Sequence, residues 1–261
     1  VSAALHRVCD RLELGPRGPD RLVLVHGFTQ TLRSWDPPAA VLGEMFQIVR
    51  VDLPGHGGSS DVRMSFEETA VAIGEAGGTA TYVGYSMGGR LCLRLALARP
   101  DLVRALVLVG ASPGLGDPAE RAARRRADEA LADDIEAMGT AAFIRRWLAQ
   151  PLFRSFTPDP ADLEARLANP ASGLAGALRS LGSGAQEALW PRLGSLAMPV
   201  LAVAGQDDER YCGLGQRMAE AIGDNAKAVA LAGAGHAAHL ERPRSFCRLL
   251  SAFLVLHPPT R

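Results

Sequence analysis

The sequence predicts an α/β protein: a mostly parallel, twisted sheet flanked by helices and interrupted by a helical insertion. Three observations carry this reading. Short apolar runs of strand length alternate with longer helical patterns. Several of the runs are apolar at every position, as strands covered on both faces require. The alternation stops over residues 113–199, where only helical patterns occur.

In chain order, a weak strand or hairpin is expected at residues 5–14, before the turn Gly15-Pro16-Arg17-Gly18-Pro19. Strands follow at residues 21–26, 47–51, 80–84, 105–109, 200–204 and 228–231, with helices at 65–75, 87–98, 211–221 and 243–255. The last helix opens on Pro243, whose fixed φ suits a first helical position. The insertion begins at Pro113-Gly114-Leu115-Gly116-Asp117-Pro118 and predicts helices at 119–138, 140–150, 159–168 and 172–181, lying over the strand ends. Residues 1–112 and 200–261 are therefore expected to form the core, and 113–199 a cap.

Composition narrows the function classes. The 261 residues are 48% hydrophobic and 21% charged, which is ordinary for a globular chain and excludes disorder. Lys+Arg and Asp+Glu are both 28, so no charge excess points to nucleic acid or an anionic membrane. With 3 Trp, 3 Tyr and 8 Phe there is little material for a base-stacking platform. No apolar run approaches the ~20 residues of a membrane span, and the first residues lack a basic segment followed by an apolar core. Cys9, Cys92, Cys212 and Cys247 are widely spaced, which fits free thiols in a reducing cytoplasm better than a disulfide framework or zinc site. No phosphate-binding loop or metal-ligand cluster stands out, so no cofactor and no metal are expected.

The chemistry is concentrated around Gly84-Tyr85-Ser86-Met87-Gly88, a Gly-x-Ser-x-Gly between a strand pattern and a helix pattern. That context marks a nucleophile elbow, in which small residues let a strained turn lift Ser86 to the start of a helix. A serine needs a base and the base an orienting acid. His236, in Gly233-Ala234-Gly235-His236 after the last strand, is the leading base, with His239 its rival. His26 and His56 suit turn-shaping roles, and His6 and His257 lie near the ends, where solvent exposure is expected. Asp207 and Asp208 follow the strand at 200–204; Asp208 is favoured and Asp207 stays open. The order Ser86, acid, His236 fits this kind of site. The Met87 and Phe28 amides are the candidate oxyanion donors.

These segments, with Asp52-Leu53-Pro54-Gly55-His56-Gly57 and Gly205-Gln206-Asp207-Asp208, resemble the α/β-hydrolase superfamily over essentially the whole chain. That family places its cap after the sixth strand. A narrower resemblance rests on Arg90 directly after the elbow, on Ser112-Pro113-Gly114-Leu115 leading into 120–128, and on residues 147–153. These are similar to the 2-succinyl-6-hydroxy-2,4-cyclohexadiene-1-carboxylate synthase family of menaquinone biosynthesis. The resemblance implies a lyase that expels pyruvate from a small polycarboxylate. It also implies that Arg90, Arg124, Arg166, Tyr85 and Trp147 bind that substrate. Arginine suits such a ligand, because its planar fork matches a carboxylate. Against this stands a plainer reading of the cap arginines, since Arg124 with Asp128 and Arg125 with Glu129 have the i, i+4 spacing of an ordinary salt-bridged helix. Two other functions compete: a serine hydrolase (an esterase, thioesterase or carbon–carbon bond hydrolase), and a ligand receptor on the same scaffold.

Overall fold

The computed structural model describes residues 4–10 and 20–257. Seven strands, β1 (Arg7–Asp10), β2 (Arg21–Val25), β3 (Gln47–Val51), β4 (Ala80–Tyr85), β5 (Val103–Val109), β6 (Val200–Gly205) and β7 (Ala226–Leu231), form one sheet in the order β1-β3-β2-β4-β5-β6-β7. β1 is antiparallel to β3 and every other pairing is parallel. The first expected strand is present over 7–10, and the turn at 15–19 lies outside the described residues.

Side-chain alternation explains the two layers. Along β2, Val23 and Val25 join one apolar cluster while Leu22 and Leu24 join another on the opposite face. β5 divides likewise, with Leu106 and Leu108 on one side and Val107 and Val109 on the other. Helices α2 (Phe66–Gly77) and α3 (Met87–Ala98) cover the first face; α1 (Asp36–Leu42) and α9 (Pro243–Leu256) cover the second. α7 (Glu209–Ile222) and the short α8 (Ala238–Glu241) complete the layers. α1 and α8 are absent from the sequence expectation. α1 carries two prolines in its first turn and only seven residues, too few for a 3.6-residue period to emerge.

Between β5 and β6 the chain is helical: α4 (Pro118–Leu148), α5 (Pro160–Leu167) and α6 (Ala171–Leu181). Gly139, at φ 77°, breaks α4 into two helices, where the sequence places the boundary between its first two cap helices. As the described strands are counted, the insertion follows the fifth and not the sixth. Its buried residues, including Ile135, Phe143 and Leu174, belong to the same apolar cluster as α2 and α3, so this layer shares the core of the sheet. β2 has β3 on one side and β4 on the other, so the loops after β2 and β4 diverge at a switch point, where a crevice opens at the carboxyl ends of the strands. No helix among the described residues is long and apolar enough to cross a membrane.

Candidate active site

Ser86 sits at the switch point, between β4 and α3, with φ 49° and ψ −108°. Its strained conformation follows from how tightly the turn closes. A methyl group at Gly84 would lie 2.5 Å from the Gly88 carbonyl oxygen, and one at Gly88 would lie 2.4 Å from that of Val25. The turn therefore excludes side chains at both positions. The Ser86 amide donates to the Val109 carbonyl at 2.8 Å, tying the elbow to β5. Met87 is the first residue of α3, so its amide has no acceptor within the helix.

Asp208 and His236, both buried, come together: His236 Nδ1–H donates to Asp208 Oδ2 at 2.7 Å, which leaves Nε2 as the basic nitrogen. Of the two candidate acids, Asp208 is the one whose carboxylate meets this histidine. The Asp207 amide donates to the Ala234 carbonyl and its side chain is exposed. Sequence reasoning missed Glu241, whose carboxylate accepts from the amides of Gly235 at 2.9 Å and Ala237 at 3.1 Å, the two residues flanking His236. Its only signal is an acid five residues after the histidine. Ser86 and His236 face one cavity, but among the described residues no hydrogen bond joins them. Catalytic hydrogen bonds of unliganded sites are commonly long and tighten when substrate binds.

The other histidines separate cleanly. His239 is fully buried between Trp35, 4.3 Å between ring centres, and Tyr85, 4.5 Å, and neither ring nitrogen has a partner. Burial pushes its pKa down to about 3, so it is a neutral packing element and not the base. His26 Nδ1–H donates to the Gly27 carbonyl while Nε2 accepts from the Leu53 amide, and His56 Nε2 accepts from the Thr29 amide; both shape turns, as expected. His6 is exposed, as expected, and its ring also pairs with the buried Asp52 at 2.8 Å. Near the other end, the His257 ring lies 4.9 Å from that of Phe253.

Burial pushes the pKa of His56, like that of His239, down to about 3. Each is neutral in the folded state but takes a proton near pH 6.5 when unfolded. The stability they support is fully present above pH 6.5 and is lost as pH falls toward 3, at about 1.4 kcal/mol per pH unit per imidazole. Denaturant titrations between pH 6 and 4 should show this decline, and His239→Phe should reduce the slope by one proton.

The second candidate oxyanion donor, Phe28, lies after β2. The Gly27 amide donates to Gln30 Oε1 at 2.9 Å, and Thr29 adopts φ 69°. Phe28, between them, has no protein acceptor for its amide among the described residues, and its ring meets Trp147 at 5.2 Å. A cavity of about 480 Å³ lies between these strand ends and the inserted helices. Phe28, Tyr85, Ser86, Met87 and His236 line it from the sheet side, and Arg124, Leu131, Trp147 and Phe153 from the helical side. Tyr85 packs 5.4 Å from His236, and Trp147 stacks on Phe143 at 5.8 Å. The Trp147 indole nitrogen is buried without a partner.

The predicted arginines divide into three cases. Arg90 lines the cavity and is 93% buried, since its exposure is 7%. It donates to Gln186 Oε1 at 3.0 Å and to the Leu181 carbonyl at 2.7 Å, both neutral. Among the described residues it forms no ion pair with a carboxylate. Burial pulls its pKa down to about 10, which leaves it charged at neutral pH. Arg124 also lines the cavity but pairs with Asp128 at 2.7 Å, as the plainer reading expected. The Arg125–Glu129 pair does not form, because Glu129 accepts from Arg179 instead. Arg166 is a correction: it is absent from the cavity wall, 2% exposed, and bonded to Asp162 and to the Thr29 hydroxyl, each at 2.7 Å. Sequence reasoning missed Arg210 and Tyr211, which line the cavity from the start of α7. Their one signal was adjacency to Asp208. Among the described residues no group of three or more His, Cys, Asp or Glu could hold a metal ion.

The profile of the Alpha/beta hydrolase family matches residues 22–249. The chain is 33% identical, over 92% of its length and 92% of the relative's, to a Bacillus subtilis (strain 168) protein provisionally named as a 2-succinyl-6-hydroxy-2,4-cyclohexadiene-1-carboxylate synthase. It is 30% identical to the Serratia proteamaculans (strain 568) protein of that name, over 94% of this chain and 96% of the other. The structure of MenH from S. aureus superposes with a TM-score of 0.87 at 28% identity, covering 97% of this chain and 98% of that one. The chain therefore belongs to the alpha/beta hydrolase family, and within it to the group of the 2-succinyl-6-hydroxy-2,4-cyclohexadiene-1-carboxylate synthases.

Proposed function

We propose that this protein is a lyase of menaquinone biosynthesis that eliminates pyruvate from 2-succinyl-5-enolpyruvyl-6-hydroxy-3-cyclohexene-1-carboxylate, giving 2-succinyl-6-hydroxy-2,4-cyclohexadiene-1-carboxylate. The observation that carries this is Arg90: a buried cation on the cavity wall with only neutral partners. Burying a charge whose hydrogen-bond partners are all neutral is costly, and a ligand carboxylate offsets that cost as a neutral ester cannot.

The residues act as follows. Asp208 holds His236 in the tautomer whose Nε2 is free to accept a proton. His236 takes the Ser86 proton, and the alkoxide, or the pair acting together, removes a ring proton from the substrate. The electrons of that C–H bond move toward the succinyl ketone, whose oxygen gains charge and is stabilised by the Phe28 and Met87 amides. The electron pair then returns through the ring to form the diene. The ring C–O bond breaks, and the enolpyruvyl group leaves and is protonated to pyruvate. No water is consumed. Arg90 and Arg124 hold carboxylates, Tyr85 and Trp147 wall the ring, and residues 113–199 cap the cavity. Arg210, exposed beside it, adds positive charge at the rim.

The test is turnover of the enolpyruvyl substrate, with p-nitrophenyl acetate as comparator. Pyruvate release is expected to exceed ester cleavage in kcat/KM by roughly two orders of magnitude. Arg124→Ala should raise KM by roughly 3- to 10-fold with kcat nearly unchanged. Its half-exposed guanidinium already pairs with Asp128, so solvent and that pairing weaken its hold on substrate. No change in either parameter would leave Arg124 as only a salt-bridged surface residue.

A further inference from the structure

Among the described residues only two non-glycine positions have positive φ, Ser86 and Thr29. The strain at Ser86 belongs to the elbow. Thr29 is harder to account for, because a β-branched side chain tolerates φ 69° poorly. Such a conformation persists only where its surroundings over-determine it.

They do so here, mostly from the inserted segment, through Arg166 of α5 and Asn169 of the turn before α6. Thr29 is fully buried and all of its polar groups are engaged. Its amide donates to His56 Nε2 at 3.2 Å, its hydroxyl accepts from Arg166 Nη1 at 2.7 Å, and its carbonyl accepts from Asn169 Nδ2 at 3.0 Å. Each holder is itself fixed: Asp162 pairs with Arg166 at 2.7 Å, and Asn169 Oδ1 accepts from the Gly57 amide at 2.8 Å while its carbonyl accepts from the Thr140 hydroxyl at 2.8 Å. On the other side the Gly27 amide is bonded to Gln30. Phe28 is the single residue between two pinned neighbours, so the direction of its amide is set by them.

We propose that Arg166 and Asn169 are positioning residues: they latch the cap onto Thr29, hold it in its strained conformation, and so aim the Phe28 amide at the developing oxyanion. Seating of the cap and completion of the oxyanion hole become one event. The identity of the oxyanion rests on the proposed function; the latch itself does not. Neither Thr29, Asn169 nor Arg166 lines the cavity, so loss of the latch weakens stabilisation of the transition state without removing a substrate contact.

The experiment compares Asn169→Ala, Thr29→Val and Thr29→Ser. Misplacing one oxyanion donor is expected to lower kcat for pyruvate release by roughly 10- to 100-fold, with KM within about threefold. Thr29→Ser keeps the hydroxyl and should stay near wild type. Hydrogen exchange over residues 27–31 should speed up in Asn169→Ala. If that variant does not fold, Asn169→Asp, which keeps the shape but loses the donor, gives the same reading. An unchanged kcat, or a rise in KM alone, would overturn the latch. If the wild type releases no pyruvate, the proposed function fails, but the latch is still read from the rate at which a fluorophosphonate labels Ser86. That rate should fall by a similar factor in Asn169→Ala, and an unchanged rate would overturn the proposal.

Discussion

Ser86→Ala should lower kcat for pyruvate release by roughly 10⁴-fold, equivalent to about 5.5 kcal/mol of transition-state stabilisation, while KM moves by no more than about threefold. The hydroxyl is placed to do chemistry and little else. It crowns a turn held by glycines at 84 and 88, and the wall around it is supplied by Tyr85, Phe28 and Trp147. Removing one oxygen leaves that wall and the guanidinium groups intact. Residual activity should come from the oxyanion amides and substrate positioning. A receptor using this scaffold without catalysis would instead keep its full activity in the alanine variant, so the same protein tests that alternative.

Arg90→Met should lower kcat/KM by roughly 100-fold, about 3 kcal/mol, chiefly through KM. The size of this effect follows from burial. A carboxylate reaching Arg90 meets a guanidinium that is desolvated and held by Gln186 and the Leu181 carbonyl, so little reorganisation opposes the pair. The half-exposed Arg124 is expected to matter less, and the ranking Arg90 above Arg124 is itself a test. Arg90→Lys should rescue little, because an ammonium cannot reproduce the fork that spans both neutral acceptors and a ligand carboxylate. Equal losses for Arg90→Met and Arg124→Ala would mean that burial is not what gives Arg90 its grip.

Much of this was readable before any coordinates. Central strands buried on both faces advertise themselves by uninterrupted apolar residues, so the run expected at residues 105–109 falls within β5. α3 begins and ends at Met87 and Ala98 because the elbow fixes its start. Gly139 marks a helix break that a long charged pattern would otherwise have hidden. The order of the candidate residues Ser86, Asp208 and His236 was legible because each follows a strand.

Other features depend on tertiary neighbours. Sequence favours Asp208 but leaves Asp207 open, and only the turn into α7 decides which carboxylate meets His236. Arg166 has the right residue type for a carboxylate ligand, yet its partners, Asp162 and Thr29, are 4 and 137 residues away in sequence, and the distant one decides its role. The strain at Thr29 carries no compositional mark, since glycine or asparagine would be the ordinary residue there. Gln186, which holds Arg90 from 96 residues away, is equally silent.

The most direct measurement is the stoichiometry of products from the enolpyruvyl substrate, following the conjugated diene by absorbance and pyruvate by a coupled dehydrogenase. One diene and one pyruvate should appear together for each substrate consumed, far above the uncatalysed rate. Brisk cleavage of simple esters with pyruvate at the background rate would contradict the account, leaving a serine hydrolase whose buried arginine serves some other anion.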